Sequence, residues 1–111
     1  MKPRPKPSLK PKAPLLPELD NRLVIGGEIV NLEPLRYSPA GIPIARATLK
    51  HQSKQSGQLM QCELTVAAQG ETATRLAGLK PGSQITATGS ITRAGSNSQT
   101  LLMWIEQLTE E

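Results

Sequence analysis

Two stretches of this chain alternate apolar and polar residues with a period of two, and that alternation restricts its fold more than any other feature. In Ile44–Gln52 (IARATLKHQ), Ala45, Ala47 and Leu49 share one face, while Arg46, Thr48 and Lys50 share the other. Leu59–Ala68 repeats the pattern, with Met60, Cys62, Leu64 and Val66 inward and Gln61, Glu63 and Thr65 outward. A helix would need its apolar residues three and four apart; period two with one polar face is the mark of a half-buried strand. The polar segment Ser53–Gln58 (SKQSGQ) between the two reads as a hairpin loop.

The flanking segments extend the β reading. Arg22–Val30 (RLVIGGEIV) is β-rich and carries Gly26-Gly27 at its middle. Paired glycines inside a strand mark a bulge or a sharp bend, which lets one strand serve two sides of a small barrel. Leu32–Pro43 is a long connection punctuated by Pro34, Pro39, Gly41 and Pro43. Gly70–Gly78 fits a short helix anchored by Leu76 and Leu79 and stopped at Gly78. Lys80–Ser83 reads as a turn, Gln84–Thr92 as a strand broken at Gly89, and Arg93–Gln99 as a turn-rich loop. In the last strand, Thr100–Leu108, Leu101, Met103 and Ile105 form one face and Leu102, Trp104 and Glu106 the other. This order, three strands, a helix and two strands, predicts an all-β fold. It is that of the five-stranded OB barrel, which binds oligonucleotides and oligosaccharides, with the short helix between its third and fourth strands.

Chain length and charge divide the sequence into two parts. Its 111 residues suffice for one small domain, placed at residues 21–109, preceded by an extended, disordered arm at residues 1–20. Six of the ten prolines fall in residues 1–18, alternating with Lys and Arg, so neither helix nor sheet is expected there. Five of the thirteen basic residues lie in 1–17; the rest of the chain holds eight basic and nine acidic residues, a net of −1. The basic pI therefore belongs to the arm, which reads either as a spacer or surplus upstream start, or as a non-specific contact for phosphates. No apolar run is long enough for a membrane span, and the opening lacks the apolar core of a signal peptide, so a cytoplasmic protein is expected. No repeat of 20–50 residues is visible.

Catalysis is not expected. There is a single Cys, which rules out an internal disulfide or a Cys-rich zinc site, and a single His. Cys62 falls on the inward face of its strand and reads as a small core residue; His51 reads as a solvated or edge position. No phosphate-binding glycine loop, nucleophile elbow or metal-spaced pair is present, and no cofactor is implied.

The chemistry on offer is cationic. Arg46 and Lys50 share an outward face, Lys54 follows in the next loop, Arg36 lies in the first long connection and Arg93 in the loop before the last strand. In an OB barrel the second and third strands, flanked by those two loops, form the ligand face, so these five charges would border one groove. The bland alternative is a solvated face on which Glu63 pairs with a neighbour. Rings are scarce, with one Tyr, one Trp and no Phe. Tyr37 can stack on a base; Trp104 lies either outside the core, at a subunit contact or the groove, or half-buried where the barrel closes.

NRLVIGGEIV, PLRYSPAGIP, ATLKHQS, GSQITATGSI and MWIEQL, spread over residues 21–109, together resemble the primosomal replication protein N (PriB) family, relatives of single-stranded DNA-binding protein (SSB). The S-P-A-G-I-P block followed by L-K-H is the most specific part. The resemblance implies a non-catalytic homodimer of OB folds that binds single-stranded DNA. It further implies work beside SSB-coated DNA, support of the PriA helicase at stalled forks and recruitment of DnaT. It carries DNA contact onto Arg36 and onto Lys50, Gln52 and Lys54. Gln61 stands where some members have a stacking aromatic, and Arg93 alone represents a loop that is lysine-rich in others. An interaction module with secondary DNA contact is the alternative. A general SSB is disfavoured, because Glu110-Glu111 is too short to act as the acidic tip of an SSB tail.

Overall fold

The computed structural model describes residues 18–111, so the proline-rich segment through Pro17 lies outside the described residues. The elements are β1 (Leu23–Leu32), β2 (Arg36–Tyr37), β3 (Pro43–Gln55), β4 (Gln58–Gln69), α1 (Glu71–Ala77), β5 (Gln84–Arg93) and β6 (Leu101–Glu110). Their hydrogen-bonded order is β1-β5-β6-β4-β3-β2, and a further pairing of β1 with β3 closes the five long strands into a barrel. Every pairing is antiparallel except β4 with β6, which run parallel over Thr65–Ala67 and Leu102–Trp104.

Closure depends on β1 changing partners. Leu23–Glu28 pair with β5, and from Glu28 onward the same strand pairs with β3. At the changeover a Cβ on Gly27 would stand 2.5 Å from the Lys50 carbonyl oxygen, so only glycine lets the two backbones approach. The predicted bend is therefore present, while the bulge itself falls later, between Ile29 and Asn31. The Asn21 side-chain amide extends the β1–β5 ladder by one rung, donating to the Ile91 carbonyl and accepting from its N–H, each at 2.8 Å.

The core is built without rings. Ala45, Ala47 and Leu49 of β3 meet Val66 and Ala68 of β4, Ile85 and Ala87 of β5, Met103, Ile105 and Leu108 of β6, and Ile29 of β1. Leu76 and Ala73 of α1 join this cluster, with Leu79 packed against it. No charged or polar side chain is buried among the described residues. Among them, too, no helix is long and apolar enough to cross a membrane.

Three expectations are corrected. The hairpin loop shrinks to Ser56-Gly57, both at positive φ (53° and 78°), and β3 and β4 run out to Gln55 and Gln58. Two successive residues of that kind make the tight turn that suits paired, right-twisted strands. Second, Met60 and Cys62 are exposed instead of buried. β1 pairs with β3 only up to Lys50 and β6 with β4 only from Thr65, so the hairpin beyond them is a free ribbon with nothing to pack its inward face. Third, Leu101 is exposed at the start of β6, and the period-two pattern of that strand breaks at Glu106. Thr88 faces Gln107 and Gly89 faces Ile105, so Glu106 is left over as a bulge and Leu108 turns into the core.

Candidate nucleic-acid interface

Strand registers decide which side chains share the outer wall. Paired residues of neighbouring strands, antiparallel or parallel, point to the same side of a sheet, so Arg46, Ala67, Trp104 and Ser90 form one outward row across β3, β4, β6 and β5. Trp104 is half-buried in this row. Ala67 faces outward yet is only 2% exposed, flanked by the two large side chains of Arg46 and Trp104. Trp104 is thus on the outer wall, two strands from Arg46.

The connection before β3 folds back on that strand. Arg36 pairs with Ile44 and Tyr37 with Pro43, and the Glu33 N–H donates to the Arg46 carbonyl at 3.0 Å. The S-P-A-G-I segment closes on itself: Ser38 N–H donates to the Ile42 carbonyl (2.9 Å), Gly41 N–H to the Ser38 carbonyl (2.8 Å) and Ile42 N–H to the Ser38 hydroxyl (3.1 Å). Gly41 sits at φ 84°, a conformation that favours glycine. This compact turn sets β2 beside β3 and borders a half-open cavity of about 220 Å³ lined by Glu33, Pro34, Arg36, Tyr37, Ile44 and Arg46. The Tyr37 residue is 64% exposed. The Nε of Arg46 is buried and has no hydrogen-bond partner among the described residues. Arg36 Nη2 lies 3.3 Å from Glu33 Oε1, a solvent-exposed ion pair worth about 0–1 kcal/mol.

Three of the expected residues, Arg36, Tyr37 and Arg46, therefore meet at one cavity. The other cations are spread out. Lys50 and Lys54 follow Arg46 at every fourth residue of β3, a spacing of about 13 Å at the usual rise per residue. Lys54 faces Leu59 on the exposed ribbon, and Arg93 faces Leu101 at the mouth of the β5–β6 loop. Lys50 makes no ion pair among the described residues, but carboxylates stand near it. It faces Glu28 across β1 and Glu63 across β4, and directly opposed residues in a sheet have Cβ atoms about 5 Å apart. With Arg36 beside Glu33, two of the five expected charges stand next to carboxylates, so the groove is less positive than residue types alone suggest.

His51 has a role that the sequence reading missed. Its Nδ1 lies 2.6 Å from the Gly26 carbonyl oxygen and its Nε2 2.7 Å from the Ser53 hydroxyl. A carbonyl can only accept, so Nδ1 carries the proton and Nε2 accepts from Ser53, which in turn accepts from Gln55 Nε2 at 3.0 Å. The ring ties β3 to β1 beside the glycine bend. No sequence signal marks this, because the partner is a backbone atom 25 residues away. Glu33 and Ile44, which help line the cavity, were also missed; only the backward fold of β2 puts them there. Among the described residues no group of three or more His, Cys, Asp or Glu side chains could hold a metal ion.

Comparison with known proteins places this geometry. A family model described as "Another single-strand binding protein family" matches residues 21–107. "Replication restart protein PriB" of Nitrosomonas europaea is 32% identical over 89 residues, covering 77% of this chain and 82% of that protein. Two solved structures of PriB from Ralstonia solanacearum superpose with TM-scores of 0.78 and 0.73, at 24% and 26% identity. Both cover 84% of this chain, and 99% and 100% of their own. A closed OB barrel, a match to a single-strand binding family over residues 21–107, and a relative that aligns over most of both proteins lead to one assignment: the chain belongs to the PriB family of SSB-like proteins.

Proposed function

We propose that this chain is a single-stranded DNA-binding accessory protein of replication restart, acting as a homodimer and by binding, not catalysis. The observation that carries the reading is the gathering of Arg36, Tyr37 and Arg46 at one cavity between β2 and β3. The strand would run along β3 past Lys50 and Lys54, with Arg93 reaching it from the β5–β6 loop. Trp104 serves as a stacking surface near Arg46 or as a subunit contact. By its family, the chain would work beside SSB-coated DNA, support the PriA helicase and bridge it to DnaT, in the cytoplasm.

Two rings supply little stacking, at about 1–3 kcal/mol per base, so the grip rests on phosphates. Lys54 and Arg93 have no carboxylate opposite them in register, while Arg46 shares its cavity with Glu33. At about −0.7 per phosphate contact, three to four contacts give a slope of log K against log salt of about −2 to −3. Affinity should then fall about 20- to 60-fold between about 50 and 200 mM salt. Fluorescence anisotropy with a labelled dT oligonucleotide at several salt concentrations measures this. The double variant Arg46→Ala, Lys50→Ala should lower both affinity and slope; a flat salt response, or no binding at low salt, would sink the reading.

The second reading is a protein-interaction module with secondary DNA contact. It is favoured by the carboxylates flanking Lys50 and by Leu59 and Met60, exposed on the free ribbon. Capture of the helicase that is undiminished after nuclease treatment would support it.

A further inference from the structure

We propose that the cavity between β2 and β3 is a guanine-selective pocket that takes a single base from the bound strand. This rests on the reading that the chain binds single-stranded DNA, and adds to it a preference among bases. At about 220 Å³ the cavity is smaller than the ~300–1,000 Å³ of sites for drug-sized ligands, and suits one ring system. Its sides match a base. The exposed Tyr37 ring offers a stacking face, Ile44 and Pro34 add apolar surface, and polar groups come from Arg46, Glu33 and Arg36.

Those polar groups select among bases by the direction of their hydrogen bonds. A guanidinium presents Nε–H and a neighbouring Nη–H in parallel, and so requires two acceptors side by side. Guanine supplies them at O6 and N7, and cytosine at O2 and N3. Adenine sets an amino donor beside N7, and thymine sets N3–H between its carbonyls, so each satisfies at most one of the two. A carboxylate makes the converse demand. Guanine alone offers it two adjacent donors, N1–H and the 2-amino group, whereas cytosine has only its 4-amino group. An unstacked base exposes both edges, which a duplex would not allow. Guanine is therefore the one base able to satisfy Arg46 and Glu33 together.

Two features of the cavity fit such a guest. The Arg46 Nε–H is closed to solvent and lacks a partner among the described residues, a costly state for a donor that turning the guanidinium into the cavity to meet a base would relieve. Glu33 is held only by its long, exposed contact to Arg36, so it can turn toward a base at little cost. Arg36 would then be released to a phosphate of the same nucleotide.

The test is competition anisotropy at about 50 mM salt with dT oligonucleotides carrying isolated G, C or A substitutions, spaced so that guanines cannot associate. A good bidentate contact discriminates by about fivefold or more, so the G-containing strand should outcompete dT by at least that factor, with A near dT and C between dT and G. Arg46→Ala should bring the G-to-T ratio close to one, and Glu33→Gln should bring the G-to-C ratio close to one. Equal binding of all four strands overturns the pocket while leaving strand binding intact. A guanine preference that survives both variants overturns its assignment to these residues. Should no strand bind, the strand-binding reading fails, and GMP alone decides the pocket. A shift of the Arg46 Nε–H resonance by GMP, and not by AMP, CMP or TMP, upholds the pocket; no shift, or the same shift from all four, overturns it.

Discussion

The two halves of the β3–β4 hairpin are one continuous pair of strands with one unbroken alternation, yet they behave as different materials. From Pro43 to Lys50 the pair is flanked on one side by β2, at Pro43 and Ile44, and by β1, at Ala47–Lys50, and on the other by β6, at Thr65–Ala67; Ala45, Ala47, Leu49 and Val66 are buried. Beyond His51, whose ring makes the last contact with β1, neither neighbour pairs with the hairpin up to the Ser56-Gly57 turn, and Met60, with the same inward parity as Val66, is 41% exposed. Alternation states which side of a strand a residue faces; only flanking strands decide whether that side is dry. The same contrast separates the charges, since Arg46 is half-buried within the walled half while Lys54 stands in solvent on the ribbon.

Substitutions at matched parity give the largest contrast. Leu49→Ala removes a fully buried side chain from the walled half and should cost about 2–5 kcal/mol in urea denaturation. Met60→Ala on the ribbon should stay within about 0.5 kcal/mol, as surface changes usually do. Comparable losses at both positions would mean that the ribbon is packed against something in solution.

An intermediate effect belongs to the junction. His51→Ala leaves the Gly26 carbonyl without its partner and should destabilise the protein by about 1–3 kcal/mol. Amide hydrogen exchange should then quicken first where β1 meets β3. Unchanged protection there would show that the glycine bend holds without the imidazole.

The smallest effect concerns charge. Glu63→Gln removes one of the two carboxylates facing Lys50. One such charge at a few ångströms in water is worth about 1 kcal/mol at most, so affinity for single-stranded DNA at low salt should rise by up to about fivefold. The gain should shrink as salt screens it. No change would remove Lys50 from the strand's path.

How much of this was legible beforehand varies by element. The five long strands, the helix with its glycine stop and the β1 bend could be read because each is a local pattern: a period, a cap or a paired glycine. The exposure of Cys62 could not, since it depends on where β6 begins to pair with β4. The bulge at Glu106 was hidden as well, because it is a mismatch between two strands and neither strand alone contains it. In the candidate interface Arg36, Tyr37 and Arg46 were nameable as types, but Glu33 and the half-open cavity arise only where β2 folds back.

Taken alone, the amino-acid sequence determined the β architecture, the order of its elements and the side of each strand on which the cations emerge. These follow from backbone geometry, in which successive residues of a strand must point opposite ways. Tertiary structure alone decided which inward positions are dry, which cations stand beside carboxylates, and that Arg46 borders a cavity with an unpartnered Nε. Burial and pairing are properties of neighbours, and here those neighbours come from strands far apart in the chain.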